Sequence, residues 1–216
     1  MRKGDFLWIL ALSAVAAFLV VPATRQAFVA ATAAHPYLVG FAKFFVLATM
    51  GELLALRIVT GLWKAPACMF QRALVWGVLG MAIVLVFEVF AGGVVSALGK
   101  GLLPGAGSRL AFAFFVSSIM NLTFGPAMML THRMTDTCLD LRHEGKGAGI
   151  PDIVARIDWK SFVSFVLLKT IPCFWIPAHT LVFLLPSAYR VLAAALLSIA
   201  LGAILAFAKK KSPAQA

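Results

Sequence analysis

Apolar residues fall into six long runs, 6–22, 37–59, 70–98, 109–131, 161–185 and 187–208, divided by shorter polar or small-residue pieces. A helix rising about 1.5 Å per residue needs roughly 20 residues to cross a hydrocarbon layer about 30 Å thick. The runs are continuous rather than alternating, which predicts helices and argues against the strands of a membrane barrel. The pattern therefore predicts an all-α, polytopic integral membrane helical bundle of about six spanning helices. Residues 23–36 read as a short small-residue connection ending in His35-Pro36, with a helix starting at the proline. Gly61, Trp63 and Pro66 mark the connection 60–69, and GKGLLPGAGS at 99–108 reads as a turn rather than a phosphate loop. Residues 132–160 are the one long polar stretch, helix-like in its first half with Gly145, Gly147 and Gly149 at its centre, and are expected to lie along the cytoplasmic surface. The chain divides into an additional N-terminal hydrophobic helix or signal anchor at 1–23, a membrane helical domain at 34–208 and a basic cytoplasmic tail at 209–216.

Composition strengthens this reading. Hydrophobic residues make up 62% of the 216 and charged residues only 12%, with a mean hydropathy of +0.97, far above what a soluble core requires. The net charge of +11 would suggest nucleic acid in a soluble protein; here the basic residues sit at the ends of apolar runs, where topology and anionic lipid account for them. With the N-terminus inside, Arg2, Lys3, Arg57, Lys64, Arg72, Arg133, Arg142, Lys146, Arg156, Lys160 and Lys209, Lys210 and Lys211 fall on the inner side. Only Arg25, Lys100, Arg109 and Arg190 fall outside, so both termini are expected in the cytoplasm. The first run, behind Arg2 and Lys3, reads as a retained helix with a signal segment as the alternative. Cys68, Cys138 and Cys173 have neither disulfide-framework nor zinc-finger spacing.

Polar side chains inside the runs are the candidate chemistry, because each costs on the order of 2.5–3.5 kcal/mol at a helix centre unless it faces protein or water. Glu52, Glu88, Asn121, Lys169 and His179 stand out, with Arg72, Tyr189 and Arg190 near run ends. Glu52 reads either as a buried partner for Lys43 or Arg72 or as part of an aqueous path. Pro172 and Pro177 are candidate helix breaks in the fifth run, where a break would kink the helix or line a cavity. In the last run Ala194, Ser198, Gly202 and Ala206 recur every four residues, a small face that admits a close neighbour. His132, Asp136, Asp140 and His143 share one face if helical. Such residues bind zinc in other settings, but solvated helix faces share the spacing, no HExxH accompanies it, and no metal is assigned. Nor does a GxSxG or similar catalytic motif appear.

Several weak motifs in a fixed order resemble the family of the peroxisomal membrane protein of twenty-two kilodaltons and the mitochondrial inner-membrane protein Mpv-seventeen. They run from Ala34-His35-Pro36-Tyr37 through Gly51-Glu52, Arg72 and Gly77, then Asn121 and Phe124-Gly125-Pro126. Asp158-Trp159, Trp175 and Pro177 come next, and Pro186-Ser187-Ala188-Tyr189-Arg190 resembles the family's closing proline-x-x-Tyr-Arg segment. The chain departs from the family in carrying Glu52 for an aspartate, Met120 for an acid and an extra N-terminal run, as a divergent bacterial member would. The resemblance implies a small helical membrane protein that forms a pore for small hydrophilic metabolites, with no enzyme activity and no bound cofactor.

The expectation is thus a channel or facilitator for small hydrophilic metabolites or ions. Alternatives are a proton-coupled exporter using Glu52 or Glu88, and a non-transporting structural or assembly protein. The expected partners are the lipid bilayer, a small polar solute and a second copy of the chain in a homo-oligomer, without nucleic acid. The expected location is a bacterial inner membrane, or an organelle membrane in a eukaryote. Glu52, Asn121 and the segment around His179 are expected to meet in one crevice.

Overall fold

A computed structural model describes residues 2–211. The helices are α1 (Lys3–Val20), α2 (Pro22–Ala34), α3 (Pro36–Thr60), α4 (Met69–Gly99), α5 (Arg109–His143), α6 (Ile150–Arg156) and α7 (Trp159–Ser161). A π-helix (Phe162–Trp175) continues α7 and runs into α8 (Ile176–Leu184), and α9 (Ser187–Lys211) closes the chain. Among the described residues there is no strand, and six segments are long and apolar enough to cross a membrane: Lys3–Val20, Pro36–Thr60, Met69–Gly99, Arg109–His143, Trp159–Leu184 and Ser187–Ile204. These correspond to the six apolar runs.

Helix α3 is the central post, packed on α4 along one side and α9 along the other. Glycine permits both contacts. A Cβ on Gly80 would lie 2.7 Å from the carbonyl oxygen of Gly40, so α3 and α4 cross backbone to backbone. A Cβ on Gly51 would lie 3.2 Å from Ile199 Cα, and one on Gly202 would lie 3.3 Å from the carbonyl of Gly51. The small face of the last run thus receives α3, as close packing without a hydrophobic drive in lipid requires. Helices α5 and α8 pack on one another, and α5 also meets α4. Phe44, Leu47, Phe87, Val116, Met120, Phe183 and Ala195 are among the residues filling the shared core.

Helix α1 buries no residue completely. Polar contacts dock it on α3: Arg57 Nε donates to Asp5 Oδ1 at 2.8 Å, Trp63 Nε1 to the same oxygen at 2.8 Å, and Trp8 Nε1 to the carbonyl of Met50 at 3.0 Å. Asp5 thereby brings the start of α1 to the end of α3. Arg72 and Asp140 likewise join the start of α4 to the end of α5. The Lys- and Arg-rich connections gather at one end of the bundle.

Three sequence expectations change. Residues 22–34 are helix α2 rather than a plain connection; Pro22 suits the first turn, where its missing N–H costs nothing, and the alanines beyond it are strong helix formers. Residues 132–143 are not a separate segment but extend α5 to 35 residues, roughly 52 Å and well beyond a bilayer core. Only the segment after His143 folds back, with Ile153 and Ile157 packed on Leu141. The tail at 209–216 begins as helix, since α9 continues through Lys211; 212–216 lie outside the described residues. The 99–108 piece is a turn as expected, with Gly101, Gly105 and Gly107 at positive φ and Ser108 Oγ accepting from the Ala111 N–H at 3.2 Å to open α5.

Candidate functional site

A half-open cavity of about 800 Å³ lies among the helices, bounded by α3, α4, α5, the π-helix with α8, and α9. Its size is within the range of small-molecule pockets. Most of the lining is apolar or aromatic, with polar groups concentrated towards two places.

The first is near the basic end. Glycine at 51 seats α3 against α9, and the next residue, Glu52, turns towards α4 and α5. Trp76 Nε1 donates to Glu52 Oε1 at 2.7 Å, a hydrogen bond to a charged acceptor of the kind worth about 1.5–3 kcal/mol. The same indole lies over His132, with ring centroids 4.1 Å apart, and stacks on Phe44. Arg72 lies one helical turn before Trp76 and so on the same face. Its Nη1 is 2.9 Å from Asp136 Oδ1 and its Nη2 2.6 Å from Asp140 Oδ1, while Nε donates to the carbonyl of Ala67 at 2.9 Å. His132 completes the group, its Nε2 3.7 Å from Glu52 Oε1 and its Nδ1 3.6 Å from Asp136 Oδ2. His132, Asp136 and Asp140 share one face because α5 is continuous there.

The second polar place is deeper along α5. His179 is buried on α8 with Nδ1 3.1 Å from Asn121 Oδ1, its ring stacked on Trp175 and edge-on to Phe87. The Asn121 amide donates to the carbonyl of Ser117 at 2.8 Å, and Ser117 Oγ donates to the carbonyl of Ile176 at 2.7 Å. From Asn121 to His132 along α5 is roughly 16 Å.

Glu52, Asn121 and His179 therefore do line one cavity, together with Arg72, His132, Asp136 and Asp140. Other candidates fall elsewhere. Glu88 and Lys169 are exposed on outward helix faces rather than lining the cavity. Tyr189 stacks on Phe28, and Arg190 lies over Phe112 and Phe183 while Nε donates to the carbonyl of Leu185 at 3.0 Å. Both stand outside the lining. Lys43 lies over the Phe28 ring and donates to Thr32 Oγ1 at 3.3 Å, so it does not pair with Glu52. Asp140 is held by Arg72, and His143 is exposed at the end of α5. The four-residue metal face is thus not a unit; Glu52 from α3 joins His132 and Asp136 instead.

Pro172 and Pro177 do not interrupt the helical run; they fall where its winding departs from α and returns to it. In an α-helix a proline ring collides with the carbonyl four residues earlier; here Pro172 sits in the π-helix, whose i→i+5 pattern sets a different carbonyl opposite it. Pro177 is the second residue of α8, just where the winding passes from π to α. The lining residues Phe162, Val166, Thr170 and Trp175 recur at steps that the π winding keeps on one face, and His179 follows one turn on in α8. Trp76 was missing from the sequence candidates, although its position one turn after Arg72 was a usable signal.

No protein-family profile, curated protein or solved structure matches this chain.

Proposed function

We propose that the protein carries a small hydrophilic solute or ion through its membrane helices, with the internal cavity as the path. One observation supports this above the others: a half-open space of about 800 Å³ among apolar helices has ionisable and amide side chains from α3, α4, α5 and α8 turned into it. Polar groups at such depth are expensive against lipid and face protein or water. The family resemblance of the sequence points the same way. The acidic balance at the basic end favours a cation. Arg72 is shared by Asp136 and Asp140, and among the described residues the contacts of the Glu52 carboxylate are the Trp76 indole N–H and the His132 imidazole.

Purified protein in liposomes, tested across a solute panel with and without an imposed gradient, is the decisive experiment. Solute entry above protein-free vesicles is expected, with cations ahead of anions. Glu52→Gln keeps an acceptor for Trp76, so the fold should persist while cation preference falls. Absence of entry for every solute would overturn the proposal.

The spacing of Glu52, His132 and Asp136, 3.7 and 3.6 Å between neighbours, favours a second reading, a proton-coupled exporter. Uphill transport that collapses with the proton gradient would select it over a pore.

A further inference from the structure

We infer that Glu52, His132 and Asp136 form a binding site for a first-row divalent transition cation, and that this ion is the cargo of the cavity. The site stands on side-chain geometry alone; the ion's role as cargo rests on the reading of the cavity as a solute path.

The three side chains each offer a ligand atom, and these atoms lie within 4.8 Å of one another. Two come from adjacent turns of α5 and the third from α3, so the site clamps two helices. Tetrahedral coordination at about 2.0–2.1 Å needs ligand atoms about 3.3–3.4 Å apart. The 3.7 Å between His132 Nε2 and Glu52 Oε1 is already near that value, and the carboxylate ends supply the remaining movement by rotation.

Unmet hydrogen bonding is an independent sign. His132 Nε2 is shielded from solvent without a hydrogen-bond partner among the described residues, and so is Asp136 Oδ1. The latter lies 2.9 Å from Arg72 Nη1, in an ion pair whose angle does not make a hydrogen bond. Buried polar atoms are ordinarily satisfied, and a cation between these two and Glu52 would satisfy both.

Charge favours a cation, because Glu52, Asp136 and Asp140 outnumber Arg72 and Arg133 in the lining, and a set of two carboxylates and an imidazole suits a divalent one. The donor set selects within that class: imidazole suits Zn²⁺, Fe²⁺ or Ni²⁺, with Co²⁺ between the last two in the same affinity series, whereas Mg²⁺, Ca²⁺ and Mn²⁺ prefer all-oxygen surroundings. Trp76 acts as a positioning residue: its N–H donates to Glu52 Oε1, the same oxygen that lies 3.7 Å from His132 Nε2, and so fixes the carboxylate beside the imidazole. Arg72 competes for Asp136 and keeps binding weak enough for release, as permeation demands.

The test uses the full chain, purified in detergent and stripped with a chelator, and titrated with Co²⁺ while its visible absorption is followed. One ion per chain is expected, displaced by Zn²⁺ and not by Mg²⁺. His132→Ala should weaken binding by about 100-fold or more and Trp76→Phe by about 10–100-fold. His132→Cys should restore binding and add a thiolate-to-cobalt band in the near ultraviolet, which separates loss of a ligand from loss of fold. An absent cobalt spectrum in the folded wild type, or equal affinity in His132→Ala, would overturn the site. In liposomes holding a metal-sensing dye, Zn²⁺ or Co²⁺ entry is expected and should fall in His132→Ala. Cobalt binding with entry of other solutes but not of metal would overturn the cargo assignment. Cobalt binding without entry of anything would overturn the solute path and leave the site standing.

Discussion

Replacing Gly80 with alanine sets two effects of known size against each other at one crossing. In a helix interior alanine is favoured over glycine by about 0.8–1.0 kcal/mol. At Gly80, however, the added methyl would sit 2.7 Å from the Gly40 carbonyl oxygen and 2.8 Å from Phe44 Cβ. Both atoms belong to α3, and neither is the far end of a flexible side chain, so α3 and α4 must separate by about half an ångström. Overpacking of that kind costs about 1–3 kcal/mol, and the net expectation is destabilisation of up to about 2 kcal/mol. Gly92, on the same helix, has nothing within 4 Å of its Cβ position. Gly92→Ala should therefore be neutral or more stable than the parent by up to about 1 kcal/mol. Equilibrium unfolding in mixed micelles, driven by rising SDS, compares the two variants directly. Equal stability for Gly80→Ala and Gly92→Ala would refute the backbone contact between α3 and α4.

Gly202→Leu should part α9 from α3 at the Gly51 carbonyl, lowering stability by about 1–3 kcal/mol in the same titration. Asn121→Ala leaves the buried His179 Nδ1 without its partner, and a loss of about 1–3 kcal/mol is expected by thermal melting in detergent. Asp5→Asn weakens the contacts with Arg57 and Trp63 that hold the start of α1, and should speed hydrogen exchange in α1 while leaving α3 protected. A reporter active only outside the cytoplasm, fused to Ala216, should be silent; strong activity would reverse the predicted orientation.

The sequence made the spans legible because a soluble chain has little use for six continuous apolar runs of bilayer length. The four-residue stripe from Ala194 to Ala206 also predicted a close neighbour correctly, since only small side chains allow one. Which face a polar residue occupies was less legible. A helix apolar on all sides has almost no amphipathic signal, so Glu52 inside the cavity and Glu88 on the outer face look alike in one dimension. Trp76 escaped notice for a related reason: an indole in an apolar run reads as packing until a carboxylate on another helix is seen opposite it. Helix α2 was hidden by its small residues, which resemble a linker while having high helix propensity. The π winding was likewise hidden, because prolines at 172 and 177 announce a disturbance without stating its form.

The π-helix makes the lining of the cavity depend on how tightly one stretch of chain is wound. At roughly 4.4 residues per turn, Phe162, Val166, Thr170 and Trp175 stay in a column. Rewound as an α-helix of about 3.6 residues per turn, each successive residue would advance by roughly 20° more, and across the segment the column would spread over more than half the circumference. Trp175 would then leave the interior while Phe162 stayed, with no helix having tilted or slid. Deleting a single residue from 162–175 would have part of the same effect, so this wall of the cavity tolerates changes in length far less well than changes of side chain.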